Sequence, residues 1–314
     1  MWRYILNRCL WLILIILATA FLIFTILYFN PTDPARALLG TTISEAEAAN
    51  FRHILGIDRP YLEQLGDFMY NTFIKFDFGN SWKYQVPVYS ELISRLPRTL
   101  IIGLVAMALN VTIGLSLGIF AGTHAGKWQD SLTMAIAMVF ISCPDFWVAL
   151  MMIILFSSKL KWLPAQGIDS WKSYIMPIIA SSLGGIAVNS RQTRSSILEV
   201  FRADFITTAR AKGQVERKVV WGHMLPNALM PVITGLGGAL CRIVAGSAVI
   251  EAVFSIPGVG QYMLVCINGL DFPGVRACVL FFAAFSSVMM LLVDLLYGFI
   301  DPRIKAQYAS RRGK

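Results

Sequence analysis

Apolar residues come along this chain in long unbroken runs. Six stand out, at about 10–29, 98–121, 131–157, 174–189, 228–253 and 277–299. Most approach the roughly 20 residues that a helix needs to cross a hydrocarbon core about 30 Å thick. In lipid every backbone N–H and C=O must find a partner within its own segment or in a closed barrel. None of the runs shows the period-two alternation of barrel strands, so each predicts a helix. The run at 174–189 is short and contains Gly184 and Gly185. In the first run Ala18-Thr19-Ala20 looks like a signal-peptidase site behind Arg3 and Arg8, but the apolar stretch continues to Phe29, which predicts a retained span.

Composition agrees. Only 14% of the 314 residues are charged and 56% belong to the hydrophobic set, whereas soluble domains carry about 25% charged residues. The formal net charge of +9 fits either nucleic acid or an anionic membrane face, and the placement of the basic residues favours the membrane. Cys9, Cys143, Cys241, Cys266 and Cys278 fall mostly in or beside apolar runs with no CxxC pair, as small core residues do.

Counting Lys and Arg in the short loops gives fifteen on the side of the termini, among them Arg3, Arg191, Arg210 and Arg303, and four on the other, Lys159, Lys161, Lys172 and Arg276. The positive-inside bias therefore puts both termini in the cytoplasm. The chain divides into an N-terminal helix (1–29), an external segment (30–97), a transmembrane core (98–300) and a basic tail (301–314). In the external segment Asn30-Pro31 and Asp33-Pro34 end the first span, and Ser44 with Glu47 reads as a capping box. Stretches around 61–75 and 88–96 are amphipathic, and Trp82 and Tyr84 are suited to anchor at the interface.

The most informative stretch lies between the fourth and fifth runs. Asp204 is placed to cap a short helix whose last turn carries Lys212 and whose stop is Gly213. On it Phe205, Ile206 and Ala209 would share an apolar face, leaving Thr207, Arg210 and Arg217 for a polar partner. A second helix, about 215–224, should lead back to the membrane at Leu225-Pro226.

Here the chain resembles the permeases of binding-protein-dependent ABC importers, whose cytoplasmic signature is Glu-Ala-Ala, three residues, Gly, nine residues, Ile-x-Leu-Pro. Ala209, Gly213 and Leu225-Pro226 stand at the expected spacing, while Thr207 and Thr208 replace Glu-Ala and His223 replaces Ile. Thr208 to Gly213 matches the Thr-Ala-Arg-Ala-Lys-Gly of the dipeptide, oligopeptide and nickel branch. Further resemblance lies in Leu55 to Pro60, Asp77 to Ser81, Arg95 to Leu100, Phe254 to Gly260 and Asp294 through Arg303.

The resemblance implies an all-α, six-span, type I ABC importer permease fold in a bacterial inner membrane. It implies a coupling helix at 204–220 that docks on an ATPase through Asp204, Thr208, Ala209, Arg210, Ala211, Lys212, Gly213, Glu216 and Arg217. The expected partners are a second related permease, two ABC ATPases and an external solute-binding protein. ATP and Mg would sit on the ATPases, since this chain has no GxxxxGK[ST] and no cofactor of its own is expected. The expected cargo is a di- or oligopeptide, with nickel or a metal chelate as the alternative.

Ionisable residues inside spans are functional candidates because burying them in lipid is costly. Asp145 follows Cys143-Pro144, and Arg242 and Glu251 share the fifth run. With Phe254, Pro257, Gly258 and Gly260 of the adjoining turn they form the candidate pathway or gate. Asp294 reads as structural. Gly114 and Gly118, a GxxxG pair, predict close helix packing, as Gly235 and Ala239 do. His53, His124 and His223 are too scattered to hold a metal, and no HExxH or GxSxG string marks a membrane enzyme. A self-sufficient secondary transporter would leave the cytoplasmic signature unexplained.

Overall fold

The computed structural model describes residues 2–40, 42–229 and 248–300, the side chains of 2–5 and 294–300 excepted. Among them the regular elements are helices: α1 (Trp2–Tyr28), α2 (Pro34–Leu39), α3 (Glu45–Leu55), α4 (Tyr61–Phe73), α5 (Val88–Thr123), α6 (Trp128–Ser142), α7 (Asp145–Met152), α8 (Ile175–Phe201), α9 (Asp204–Ala211), α10 (Glu216–Lys218), α11 (Ala248–Val253), α12 (Val259–Asn268) and α13 (Phe272–Ile300). A π-helical turn, Ile153–Lys159, prolongs α7, and another, Val219–Met224, prolongs α10. Two compact units result, Met1–Arg98 with Pro257–Lys314, and Thr99–Ile256.

In the first unit α1 packs along α13, and α12 packs against the same helix. The core gathers Val88 and Leu92 from the start of α5, Val259, Tyr262 and Cys266 from α12, and Val275 and Cys278 from α13. Asp271, fully buried in the turn before α13, accepts from Ser81 Oγ at 2.5 Å and from the Trp82 amide at 2.9 Å, which ties the stretch before α5 to that turn.

The segment after α1 is held by its caps. Asp33 caps α2 by accepting from the Ala35 amide at 3.0 Å, and Ser44 and Glu47 form the expected capping box on α3. Arg52 on α3 reaches back to Asp33, with Nη2 at 2.6 Å and Nε at 3.1 Å. The Arg52 hydrogen bond above all, aided by the Ala35 amide, holds the Asp33 carboxyl below its ordinary value of 3.8. A depressed carboxyl stabilises the fold above its unfolded value, and that contribution is lost as pH falls through the folded value. Protection of the amides in 33–55, taken relative to the intrinsic exchange rate at each pH, should therefore stay flat from neutrality to about pH 4 and fall below it. Arg52→Ala should weaken that dependence and leave the part carried by the Ala35 amide and the Glu47 capping box; a variant that keeps it in full would put the acid sensitivity elsewhere.

The second unit is built around α8, against which α6, α7 and α11 pack. One side of its core joins Ile102, Ala149, Met176, Ala180, Ile250, Phe254 and Ile256. Another joins Ile197, Ile206, Ala209, Val219, Met224, Leu225 and Ala228. A Cβ on Gly118 would stand 2.5 Å from Thr193 Cβ and 2.6 Å from the Ser190 carbonyl oxygen, and one on Gly114 would stand 2.9 Å from Asn189 Cβ. The GxxxG pair of α5 thus packs backbone to backbone on α8, as expected for small residues in such a seam.

Among the described residues three helical stretches are long and apolar enough to cross a membrane: Leu6–Tyr28, Val88–Thr123 and Phe272–Val293. Three expectations change. The helix that carries the second run begins at Val88, ten residues before the run itself, because Val88 and Leu92 are buried in the first unit's core and the helix continues through Pro97. The run at 131–157 is two helices bent by 99° at Cys143-Pro144, where proline has no N–H to continue the ladder. The weak run at 174–189 opens a 27-residue helix that continues to Phe201, its polar Asn189, Ser190, Thr193 and Ser196 buried. The fifth run, with Gly235 and Ala239, lies mostly outside the described residues.

Candidate functional site

The stretch after α8 folds as a helix, a sharp turn and a second helix. Gly213 ends the first with φ +73°, in the left-handed region where a side chain is strained, so the reading of Gly213 as the stop holds. Asp204 is not the cap. Ala203 occupies that position, and Asp204 is the first helical residue, where its charge still suits the positive end of the helix. Nor do all three apolar residues share a buried face. Ile206 and Ala209 are buried against Ile197, Val219 and Leu225, while Phe205 is 46% exposed.

Arg210 is already engaged. Its Nη2 donates to Glu216 Oε1 at 2.6 Å and its Nε to Oε2 at 3.1 Å, across the Gly213 turn, and its guanidinium lies 4.3 Å from the centre of the Phe201 ring. The hydrogen bonds from Arg210 hold the Glu216 carboxyl below its ordinary value, and the same contact raises Arg210. These two residues brace the turn. His223 Nε2 lies 2.8 Å from Gln214 Oε1, a second brace. Asp204, Thr208, Ala211, Lys212, Gly213 and Arg217 remain exposed. Phe205, Val215 and Trp221 add large apolar surface to the same segment. The apolar residues interspersed in an otherwise polar loop were the only sequence signal for that surface.

Of the pathway candidates, Asp145 opens α7 directly after the bend and is exposed. Its Oδ1 would lie 3.2 Å from a Cβ on Gly184, and the neighbouring Gly185 lies against the Asn110 side chain, which in turn accepts from Asn189 Nδ2 at 2.6 Å. The structure thus gathers Asp145, Asn110 and Asn189 around the paired glycines of α8. Glu251 is fully buried and accepts from Thr99 Oγ1 at 2.7 Å. In the second unit the Phe254 carbonyl receives the Gly167 amide at 3.2 Å. In the first unit the Pro257 carbonyl receives Arg98 Nη1 at 3.2 Å, Gly258 caps α12, and Gly260 is buried within it. Arg242 lies outside the described residues, as does the Asp294 side chain.

Helices as the regular elements among the described residues, several of them long and apolar, with a braced turn at the signature residues, are what a membrane permease would show. The family comparison agrees, since residues 114–306 match the model of the binding-protein-dependent transport system inner membrane component and residues 1–103 its N-terminal companion. The chain belongs to this family. It is a multi-pass inner-membrane subunit of an ABC importer, a transport subunit rather than an enzyme.

Over 305 residues it is 36% identical to the glutathione transport system permease proteins of Salmonella typhimurium and Escherichia coli K12, covering 97% of this chain and 99% of each relative. It is also 36% identical over 309 residues to a putative peptide transport system permease of Brucella abortus, covering 96% and 98%. Among solved structures it resembles the inward-facing MetNI methionine transporter, with a TM-score of 0.53 at 18% identity over 68% of this chain and 97% of the other. An amino acid ABC transporter gives 0.50 at 16% identity over 68% and 94%. At those identities the likeness concerns the fold alone.

Proposed function

We propose that this chain is one half of the path through which an ATP-driven importer passes di- or oligopeptides delivered by an external binding protein. The braced helix-turn-helix at 204–220 carries this reading. A lever must be stiff, which the Arg210–Glu216 contact and buried Ile206 provide, and it must present a surface, which Phe205, Lys212 and Arg217 provide. The partners are a second related permease and two ABC ATPases, which hold the ATP and Mg. The chain crosses six times with both termini cytoplasmic, and residues 30–97 lie outside. The glutathione and peptide permeases among its relatives favour peptides over nickel.

In operation, closure of the ATPase dimer on ATP pushes the coupling helix and switches the path between inward and outward access. Each ligand shifts that equilibrium only by its difference in affinity between the two states. Asp145, with the amides Asn110 and Asn189 beside it, offers a negative charge to the amino group of a passing peptide. Glu251 and the turn from Phe254 through Pro257, Gly258 and Gly260 are assigned to the outer gate, and Arg242 to the polar pathway or the face toward the partner permease.

The test is ATP-dependent uptake of a labelled dipeptide and of glutathione by proteoliposomes holding the whole assembly. Phe205→Asp should lower uptake at least about tenfold and reduce ATPase co-purification. The chain's own melting temperature should stay within about 2 °C, because an exposed substitution costs only a few tenths of a kcal/mol. Uptake by the chain in the absence of any ATPase would overturn the reading.

A further inference from the structure

The first unit contains a cavity of about 650 Å³ between the ends of α1 and α13 and the external segment. One guanidinium in its lining has no carboxylate in direct ion-pair contact among the described residues, the nearby Asp271 acting on it only through space. Arg276, one turn into α13, lies 4.9 Å from the centre of the Phe68 ring and 5.6 Å from that of Phe24, and its Nε donates a long 3.4 Å bond to the Phe272 carbonyl. It forms no ion pair among the described residues. Asp271, the carboxylate nearest in sequence, is occupied by Ser81 and the Trp82 amide.

The other charges around the cavity are spoken for. Asp33 holds Arg52 at 2.6 Å, and Asp67 holds Arg59 at 2.7 Å. Asp77, exposed, accepts from the Gly79 amide. Two aromatic faces attract a cation less than water does, so a partly buried guanidinium held only by rings and one long carbonyl contact is under-compensated. Its five N–H donors form a fork that matches the oxygens of a phosphate or carboxylate.

Depth selects between these. Arg276 lies where the apolar stretch of α13 begins and beside Phe24, near the end of the apolar stretch of α1. Trp82 packs on Phe272, and Tyr28 on Tyr61, at the same cavity. Aromatic residues of this kind collect at the level of phospholipid headgroups. We propose that the cavity is a binding site for a phosphate group, with Arg276 as its principal ligand and the Phe24 and Phe68 rings holding the guanidinium in place. Its depth points to a phospholipid headgroup as the source, and a soluble phosphate is the other outcome that the test distinguishes. The site stands on the cavity and Arg276 alone and does not require the peptide-importer reading.

Native mass spectrometry of the detergent-purified assembly should show a phospholipid retained by the intact chain and at least about tenfold less of it in Arg276→Gln. Arg276→Lys should keep part of it, because a point charge still pairs with phosphate without the fork. If the source is soluble, inorganic phosphate added to delipidated protein should instead raise the melting temperature of the intact chain and not that of Arg276→Gln. Equal lipid retention by both, together with no phosphate-dependent difference in melting, would overturn the proposal. Because the readout is binding, loss of peptide uptake on its own bears on the importer reading and not on this site.

Discussion

Replacing Asp130 by alanine should lower the melting temperature of the detergent-purified chain by roughly 5–10 °C. Asp130, in the first turn of α6, is buried and accepts from Arg194 Nε at 2.5 Å and Nη2 at 2.7 Å, with the Gly126 amide at 3.1 Å as a third donor. Removing one partner of a buried pair costs about 3–5 kcal/mol because the other charge is left without compensation. Arg194 keeps 30% of its side chain exposed, so water recovers some of that, and about 2–3 kcal/mol is the better expectation. For a chain of this size each kcal/mol moves the midpoint by about 2–4 °C.

The pair Arg210–Glu216 provides the contrast. It has similar geometry, but its side chains are 32% and 60% exposed, and exposed pairs contribute about 0–1 kcal/mol. Glu216→Ala should therefore shift the midpoint by no more than about 4 °C. The double variant Asp130→Ala with Arg194→Met should recover most of the first loss, since the orphaned charge is gone. Equal shifts for Asp130→Ala and Glu216→Ala would mean that burial does not decide the strength of these pairs.

That contrast also marks where sequence reasoning stops. Spans are legible because lipid imposes a length and a polarity on each residue separately, and α1 and α13 appear where the apolar runs place them. Contacts between distant residues leave no such trace. Asp130 and Arg194 are 64 positions apart, and Arg210 meets Glu216 only because Gly213 turns the chain back. Reading α9 as an isolated amphipathic helix therefore missed the contact by which Arg210 braces its own turn. The same limit explains Phe205, whose burial depended on what α8 offered: Ile197 receives Ile206 and Ala209. Pro97 and Pro144 show it for breakers. Both lack an N–H, yet the helix continues through one, anchored by buried Val88 and Leu92, and turns by 99° at the other. Gly213 stands at the stop and Ala209 on the buried face, as residue type and helical spacing suggested, but that burial within the chain takes Ala209 out of the surface through which the resemblance had it docking.

Gly118→Val should be the most damaging single change in the second unit, preventing recovery of a monodisperse chain or costing at least about 3 kcal/mol. Even the Cβ of alanine meets two obstacles there, Thr193 Cβ at 2.5 Å and the Ser190 carbonyl oxygen at 2.6 Å. Neither is the far end of a flexible side chain, so α5 and α8 must move apart along their length. Gly118→Ala should already cost about 1–3 kcal/mol, the usual range for overpacking. At Gly185 the nearest atom is much closer, Asn110 Nδ2 at 1.9 Å. Yet that atom ends a side chain able to rotate at the expense of its hydrogen bond with Asn189, about 1 kcal/mol. Ranking by distance alone would therefore make Gly185→Ala the worse variant, whereas ranking by what can yield makes it Gly118→Ala. Thr193→Gly should rescue only part of the Gly118→Ala loss, because the Ser190 carbonyl belongs to the helix itself. Full rescue in thermal melts of the double variant would show that the side chain sets the spacing of the seam, and the absence of any loss in Gly118→Ala would show that the two helices are free to separate.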